Sequence, residues 1–298
     1  LKQGLYMEIL FVMAISLFPF ALVILFAACY NKITDKKSRI PFDYARTARI
    51  PAFTLLQQHR DSSLDMLVYT LLSTLYFQLP FSLPTIAELL GFVDVSKNWL
   101  IYGIIFFAAA IYSLSKALRA FSKIRIARLG IEAEWAVSFA LSKISDNRVR
   151  VFHDVQAPNF NIDHVLTFPG GVLAIETKGR RKPNVKNSKS SHKLTVEGEK
   201  IQFPHYTDTS TVEQAKRQAD WLSKQLTQST GMSVVASPVV VIPGWFIEYK
   251  QKPVIPIMNH NSLTKHYALS KKTVLDNSSL DRINHQLEAL TMRGSDLF

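Results

Sequence analysis

Ile9 to Tyr30 is an unbroken run without one charged side chain. A helix rises about 1.5 Å per residue, so a run of this length crosses the ~30 Å hydrocarbon core of a bilayer. No other feature limits the chain as much, because such a segment must be covered by protein or by lipid. Two further uncharged runs follow, Met66 to Ala87 and Trp99 to Ser115. The pattern predicts three transmembrane helices, at about 9–30, 66–87 and 99–117, forming a membrane anchor over residues 1–120. The middle run contains Gln78, Pro80 and Pro84. A buried or interfacial helix is its alternative, since proline removes a helix hydrogen bond.

Loop charge orients these helices. Lys32, Lys36, Lys37, Arg39, Arg46, Arg49 and Arg60 lie between the first two runs, and Lys116, Arg119, Lys123, Arg125 and Arg128 follow the third. The short 88–98 connection carries only Lys97. The positive-inside rule then places both basic stretches, and everything after residue 118, in the cytoplasm. The expected location is a multi-pass protein of the inner (cytoplasmic) membrane. A lipoprotein signal ending at Phe26-Ala27-Ala28-Cys29 is the competing reading, but the apolar run is long for a signal and Glu8 sits at its approach. As the only cysteine of 298 residues, Cys29 excludes a disulfide scaffold or a cysteine-based zinc module. With 48% hydrophobic residues, the chain is not of the disordered class.

From about residue 130 the pattern is that of a soluble α/β domain. Gly130 to Ser145 reads as a helix whose apolar face is Val137, Ala140, Leu141 and Ile144. Glu134 lies on that same face. A first-turn carboxylate stabilised by the helix dipole is one explanation, and a functional acid is the other. Val149–Val155, Asn161–Phe168 and Gly171–Thr177 are β-rich, and Pro169-Gly170 marks a turn between the last two. If Phe168 pairs with Gly171, Asp163 falls opposite Glu176. Lys178 then shares the face of Glu176, because side chains alternate along a strand. Two acids facing each other repel unless a positive charge lies between them. A lysine supplies part of that charge, and Mg²⁺ or Mn²⁺ suits carboxylate oxygens. Acids, metal and lysine together make a hydrolytic centre for phosphodiesters. A solvated Asp–Lys–Glu surface cluster has the same spacing.

Taken together, Asn161-Ile162-Asp163-His164-Val165-Leu166, Pro169-Gly170-Gly171-Val172 and Ile175-Glu176-Thr177-Lys178 resemble the nuclease-related domain (NERD), a branch of the PD-(D/E)XK nuclease superfamily. Gly130 to Val137 resembles its first motif, and Gln214-Ala215 the opening of a later helix. The resemblance covers roughly residues 125–230. It implies a restriction-endonuclease-like α/β fold, a mixed central sheet flanked by helices, over residues 121–298. It also implies a divalent-metal-dependent endonuclease with catalytic residues Glu134, Asp163, Glu176, Lys178 and Gln214. The metal, Mg²⁺ or Mn²⁺, would be held by Asp163, Glu176, the Thr177 carbonyl and Glu134. Ile162 stands where the superfamily's name has proline.

Lys178 to Lys193 contains seven basic residues and no acid. Arg180, Arg181, Lys182, Lys186, Lys189 and Lys193, with Lys216 and Arg217 further on, are candidate phosphate contacts. Anionic lipid headgroups are a second partner for such a loop. DNA is the favoured substrate over RNA, and a second copy or a regulatory protein is a conceivable partner. The competing function is a catalytically silent nucleic-acid-binding or protein-recruiting membrane scaffold. His192–Val196 and Lys200–Phe203 suggest a hairpin. Thr211 to Gln228 reads as a helix with the apolar stripe Val212, Ala215, Ala219, Leu222 and Leu226, and Ser210 and Glu213 have capping-box spacing. Gln214, Gln218, Trp221 and Gln225 run beside that stripe, where Gln218 reads as an amphipathic flank. Val234–Ile242 is expected to be a central strand, Val254–Met258 another, and Leu280–Leu290 a terminal helix. His153 and His164 read as ordinary polar residues. The sequence contains no P-loop, G-x-S-x-G or dinucleotide fingerprint.

Overall fold

A computed structural model describes residues 43–89, 99–183, 192–269, 275–292 and 294. The chain divides into two compact units, one of residues 1–43 with 60–124, the other of residues 44–59 with 125–298. The 9–30 run lies outside the described residues.

In the first unit the 66–87 run falls within helix α1, Phe53–Leu89, and the 99–117 run within helix α2, Trp99–Ser142. Phe77 and Phe81 of α1 meet Phe107 of α2 edge-on at 5.5 and 6.1 Å between ring centroids. Ser73 donates to the Ala110 carbonyl at 3.1 Å. These pairings run in opposite directions along the two helices, so the helices are antiparallel. Among the described residues one helix, Leu100–Ser142, is long and apolar enough to cross a membrane. Its apolar stretch is mostly uncovered, with Leu100, Ile104, Ile105 and Ile111 all exposed.

The second unit is a mixed α/β domain with two mixed sheets. β1 (Arg150–Ala157), β2 (Phe160–Phe168) and β3 (Gly171–Thr177) form an antiparallel meander. β7 (Ala236–Val241) then adds parallel to β3, and β9 (Ile257–Met258) parallel to β7. β4 (Lys193–Glu197), β5 (Lys200–Gln202), β6 (Thr207–Asp208) and β8 (Phe246–Tyr249) make the second sheet, ordered β6-β5-β4-β8. The expected hairpin is the β4–β5 pair. The rest of this second sheet was not anticipated, because β6 has two residues and β8 four.

Alternation along the meander gives the main sheet two apolar faces. Val165, Val172 and Ala174 pack against Ala219, Leu222 and Leu226 of α3 (Ser210–Thr230) and Ile283 and Leu287 of α5 (Asn277–Leu290). Leu166, Phe168, Leu173 and Ile175 face the other way, toward Val137 and Leu141 of α2 and Leu263 and Tyr267 of α4 (Leu263–Leu269). The second sheet packs Leu194, Val196 and Ile201 against Val212 and Ala215 of α3. α3 is thus wedged between two sheets, which accounts for the complete burial of its apolar stripe.

Two helix starts differ from the sequence reading. The helix expected from Gly130 is the last part of α2, which runs unbroken from Trp99. At α3 the N-cap residue Thr209 makes no side-chain cap bond, and Asp208 before it instead accepts the backbone N–H groups of Ser210 and Thr211 on Oδ1, each at 3.0 Å. A carboxylate there satisfies unpaired amides and favours the helix dipole, so the Ser210/Glu213 capping box is not used.

Candidate active site

The β2–β3 hairpin closes through Pro169-Gly170 with Phe168 opposite Gly171 and His164 opposite Ile175. The expected register therefore holds. Continued by one residue, it sets Asp163 beside Glu176. Both lie on the α3 face of the sheet, two residues beyond Val165 and Ala174. Asp163 Oδ2 accepts the Thr177 backbone N–H at 2.7 Å. Glu176 Oε1 lies 2.6 Å from Lys178 Nζ. Glu176 is 2% exposed and Asp163 9%, so this is no solvated surface cluster.

Helix α3 supplies the rest of the ring. Gln214 Oε1 accepts from Lys178 Nζ at 3.0 Å, fixing the ammonium between the glutamine and Glu176. Gln218, one turn on, donates to Glu176 Oε2 at 2.7 Å and to the Asn161 carbonyl at 3.1 Å. It is no mere flank of the helix, as the sequence reading had it. The signal was available, since a residue four positions after Gln214 lies on the same helix face. Gly179 follows directly and lets the end of β3 approach α2. A Cβ there would sit 2.8 Å from the Leu129 carbonyl oxygen.

Glu134 reaches the cluster from the opposite side, on α2. It lies far inside a 44-residue helix, so a dipole at the helix start cannot explain it. It is 4% exposed and its Oε2 has no hydrogen-bond partner. Burial, then the charge of Asp154, push its carboxyl up to about 8, against a smaller opposing effect of the Ala52 N–H. Asp163 is raised well above the usual carboxylate range, first by burial and then by Glu176 and Glu134. Acids held this way demand a proton or a cation.

Asp154 was not singled out in the sequence. It is completely buried and adopts φ +50°, and its carboxylate binds Arg49, Thr54, Gln156 and Asn161. Arg49, counted above among the basic loop residues that orient the membrane helices, is itself 4% exposed. His153 and His164 share a 2.8 Å hydrogen bond between their Nδ1 atoms, and burial holds both below the usual histidine range. They are a neutral pair on the α2 side.

The candidate phosphate contacts divide. Arg180 pairs with Asp208 at 3.0 Å and Lys216 with Glu199. Arg217 is 3.8 Å from Glu213 on the exposed side of α3. Arg181 is bonded weakly to the Arg125 carbonyl, Lys182 lies 5.8 Å from the Trp245 ring centre, and Lys193 lies 5.5 Å from that of Phe246. Lys186 and Lys189 lie outside the described residues.

A strand-borne Asp and Glu-x-Lys, a helix-borne Glu and a two-glutamine helix on a mixed sheet are consistent with a nuclease-like α/β fold. In agreement, residues 129–243 match the family model of the nuclease-related domain. The match takes in every candidate catalytic residue and points to a nuclease-related function. No curated protein and no solved structure matches the chain.

Proposed function

We propose that the chain is a membrane-tethered, divalent-metal-dependent endonuclease acting on DNA. The observation that carries this reading is the convergence of Asp163, Glu176 and Lys178 with Gln214 and Gln218 inside the nuclease-related match. The residues fit a hard cation. The carboxylates of Asp163, Glu176 and Glu134 supply hard oxygen ligands, burial and neighbouring acids raise Asp163 and Glu134 above the usual carboxylate range, and Glu134 Oε2 is buried without a partner. Among the described residues no three His, Cys, Asp or Glu side chains are already arranged as a metal cluster. In this reading Asp163, Glu176 and the Thr177 carbonyl would hold Mg²⁺ or Mn²⁺ together with water, with Glu134 completing the shell. A bound cation supplies Lewis-acid stabilisation of charge on the phosphate.

The chain's own groups do the rest. Glu176 and Gln214 hold Lys178 Nζ at a fixed point, where it orients water and balances charge on a phosphate oxygen. Gln218 keeps the Glu176 carboxylate from rotating away from Asp163. Arg181, Lys182, Lys193 and Arg217 would carry the backbone of the nucleic acid. Tethering is supported by the exposed apolar stretch of α2, and the basic flanks favour a cytoplasmic domain at the inner membrane.

The test is cleavage by the full chain in detergent. Supercoiled DNA, branched DNA and RNA are each incubated with Mg²⁺, with Mn²⁺ and with EDTA. Metal-dependent nicking that disappears in Asp163→Ala and Lys178→Ala supports the reading. Salt-sensitive binding without cleavage would favour a silent nucleic-acid-binding module. Cleavage that survives both substitutions would point to a contaminant.

A further inference from the structure

Residues 49–54 lie well outside the matched domain, yet they touch the site at two points. Arg49 Nη1 donates to Asp154 Oδ2 at 2.9 Å, and Thr54 Oγ1 donates to the same oxygen at 2.9 Å. Asp154 Oδ1 accepts from Asn161 Nδ2 at 2.7 Å, and the Asn161 carbonyl accepts from Gln218, which holds Glu176. A continuous hydrogen-bonded path thus runs from Arg49 and Thr54 to the Glu176 carboxylate. At the second point, Trp135 Nε1, the neighbour of Glu134 on α2, donates to the Pro51 carbonyl at 3.4 Å.

Backbone conformation marks the same place. Among the described residues only Ala52 and Asp154 are non-glycine residues with positive φ, at +62° and +50°. Both are fully buried. L-residues avoid this region unless their surroundings impose it, and such strain gathers at functional sites. The strap is anchored beyond these contacts. Arg49 N–H donates to the Thr291 carbonyl at 2.8 Å.

We infer that the Arg49–Thr54 strap is a positioning element of the active site, setting Glu176 through Asp154, Asn161 and Gln218. The inference rests on the metal-nuclease reading only for its catalytic consequence. None of the strap residues belongs to the candidate catalytic set; they act through acids that do.

The test compares full-length Thr54→Val, Arg49→Lys and Arg49→Gln with the parent, and with Thr74→Val as a matched change elsewhere in α1. Three quantities are read: Mn²⁺ affinity by calorimetry, kcat and KM on DNA, and hydrogen exchange at the Thr177 amide, which binds Asp163. Thr54→Val is expected to keep the parent's melting temperature within a few degrees while weakening Mn²⁺ binding severalfold. It should lower kcat more than it raises KM, and speed Thr177 exchange. Arg49→Gln is expected to lose at least tenfold in affinity, and Arg49→Lys to recover part of it. Thr74→Val should match the parent. A folded Thr54→Val with parental affinity, kcat and exchange overturns the inference. If the parent neither binds Mn²⁺ nor cleaves, the metal-nuclease reading falls instead. Thr177 exchange in Thr54→Val then decides the strap alone, with faster exchange supporting it and unchanged exchange overturning it.

Discussion

Replacing Glu134 by glutamine should stabilise the domain while destroying its activity. Glu134 is 96% buried, and its carboxyl is pushed up to about 8 from an ordinary 4.5. Between those values the folded protein keeps a proton that the unfolded chain releases. Stability from this group is therefore greatest below pH 4.5 and is lost as the pH rises toward 8. Each pH unit in that window costs about 1.4 kcal/mol, so the penalty is roughly 3 kcal/mol at pH 7. Glutamine has no proton to lose. Urea unfolding of the full chain in detergent and EDTA, followed by tryptophan fluorescence at pH 6, 7 and 8, measures the difference. Glu134→Gln should be the more stable protein throughout, and its advantage should widen by about 1.4 kcal/mol per pH unit. A variant no more stable than the parent at pH 8, or an advantage independent of pH, would refute the argument. The expected trade of activity for stability is that of a site selected to hold charge where a core would exclude it.

Four further outcomes are expected. Gln218→Leu leaves Glu176 Oε2 without its buried donor, which should cost about 2 kcal/mol in the same unfolding assay and slow cleavage by more than tenfold. Lys178→Ala removes the cation beside a carboxylate that is 2% exposed; it should lower stability by about 3 kcal/mol, with Mn²⁺ restoring part of the loss without restoring cleavage. Gly179→Ala forces β3 away from the Leu129 carbonyl and should cost about 2 kcal/mol, with a matching fall in melting temperature. Lys182→Gln should weaken DNA binding equally for all sequences and reduce the slope of log K against log salt by about one, as titration across salt concentrations will show.

The hairpin was legible because its information is local. A Pro-Gly turn and strict alternation fix the register, and the register alone sets Asp163 against Glu176. The stripe of α3 was legible for the same reason, since apolar spacing reports a buried face whatever covers it. Glu134 was visible as an acid on an apolar face, but its helix was misjudged. The composition of α2 changes from apolar to basic near Lys116, and that change looks like a boundary although the backbone crosses it unbroken. Asp154 was invisible. Its significance depends on Arg49, 105 positions away, and on a left-handed backbone that no spacing rule announces. Arg49 itself was read as loop charge, because nothing in its neighbourhood marks it as buried. Gln218 lies between these cases: its helix face was readable, its partner was not.

The order of the two units along the chain has a consequence for how the protein is made. Residues 44–59 belong to the compact unit of residues 125–298, so residues 60–124 are an insertion within it and not a leader ahead of it. A chain that leaves a domain and returns to it must end on the side from which it started. If this stretch enters the bilayer, it crosses an even number of times, and the 66–87 and 99–117 runs make two. During synthesis Arg49 emerges long before Asp154 and must wait for it while residues 60–124 are made. A fragment begun at residue 121 would meet the opposite difficulty. It would carry every matched motif, yet bury Asp154 without its arginine, and an unpaired buried charge costs several kcal/mol.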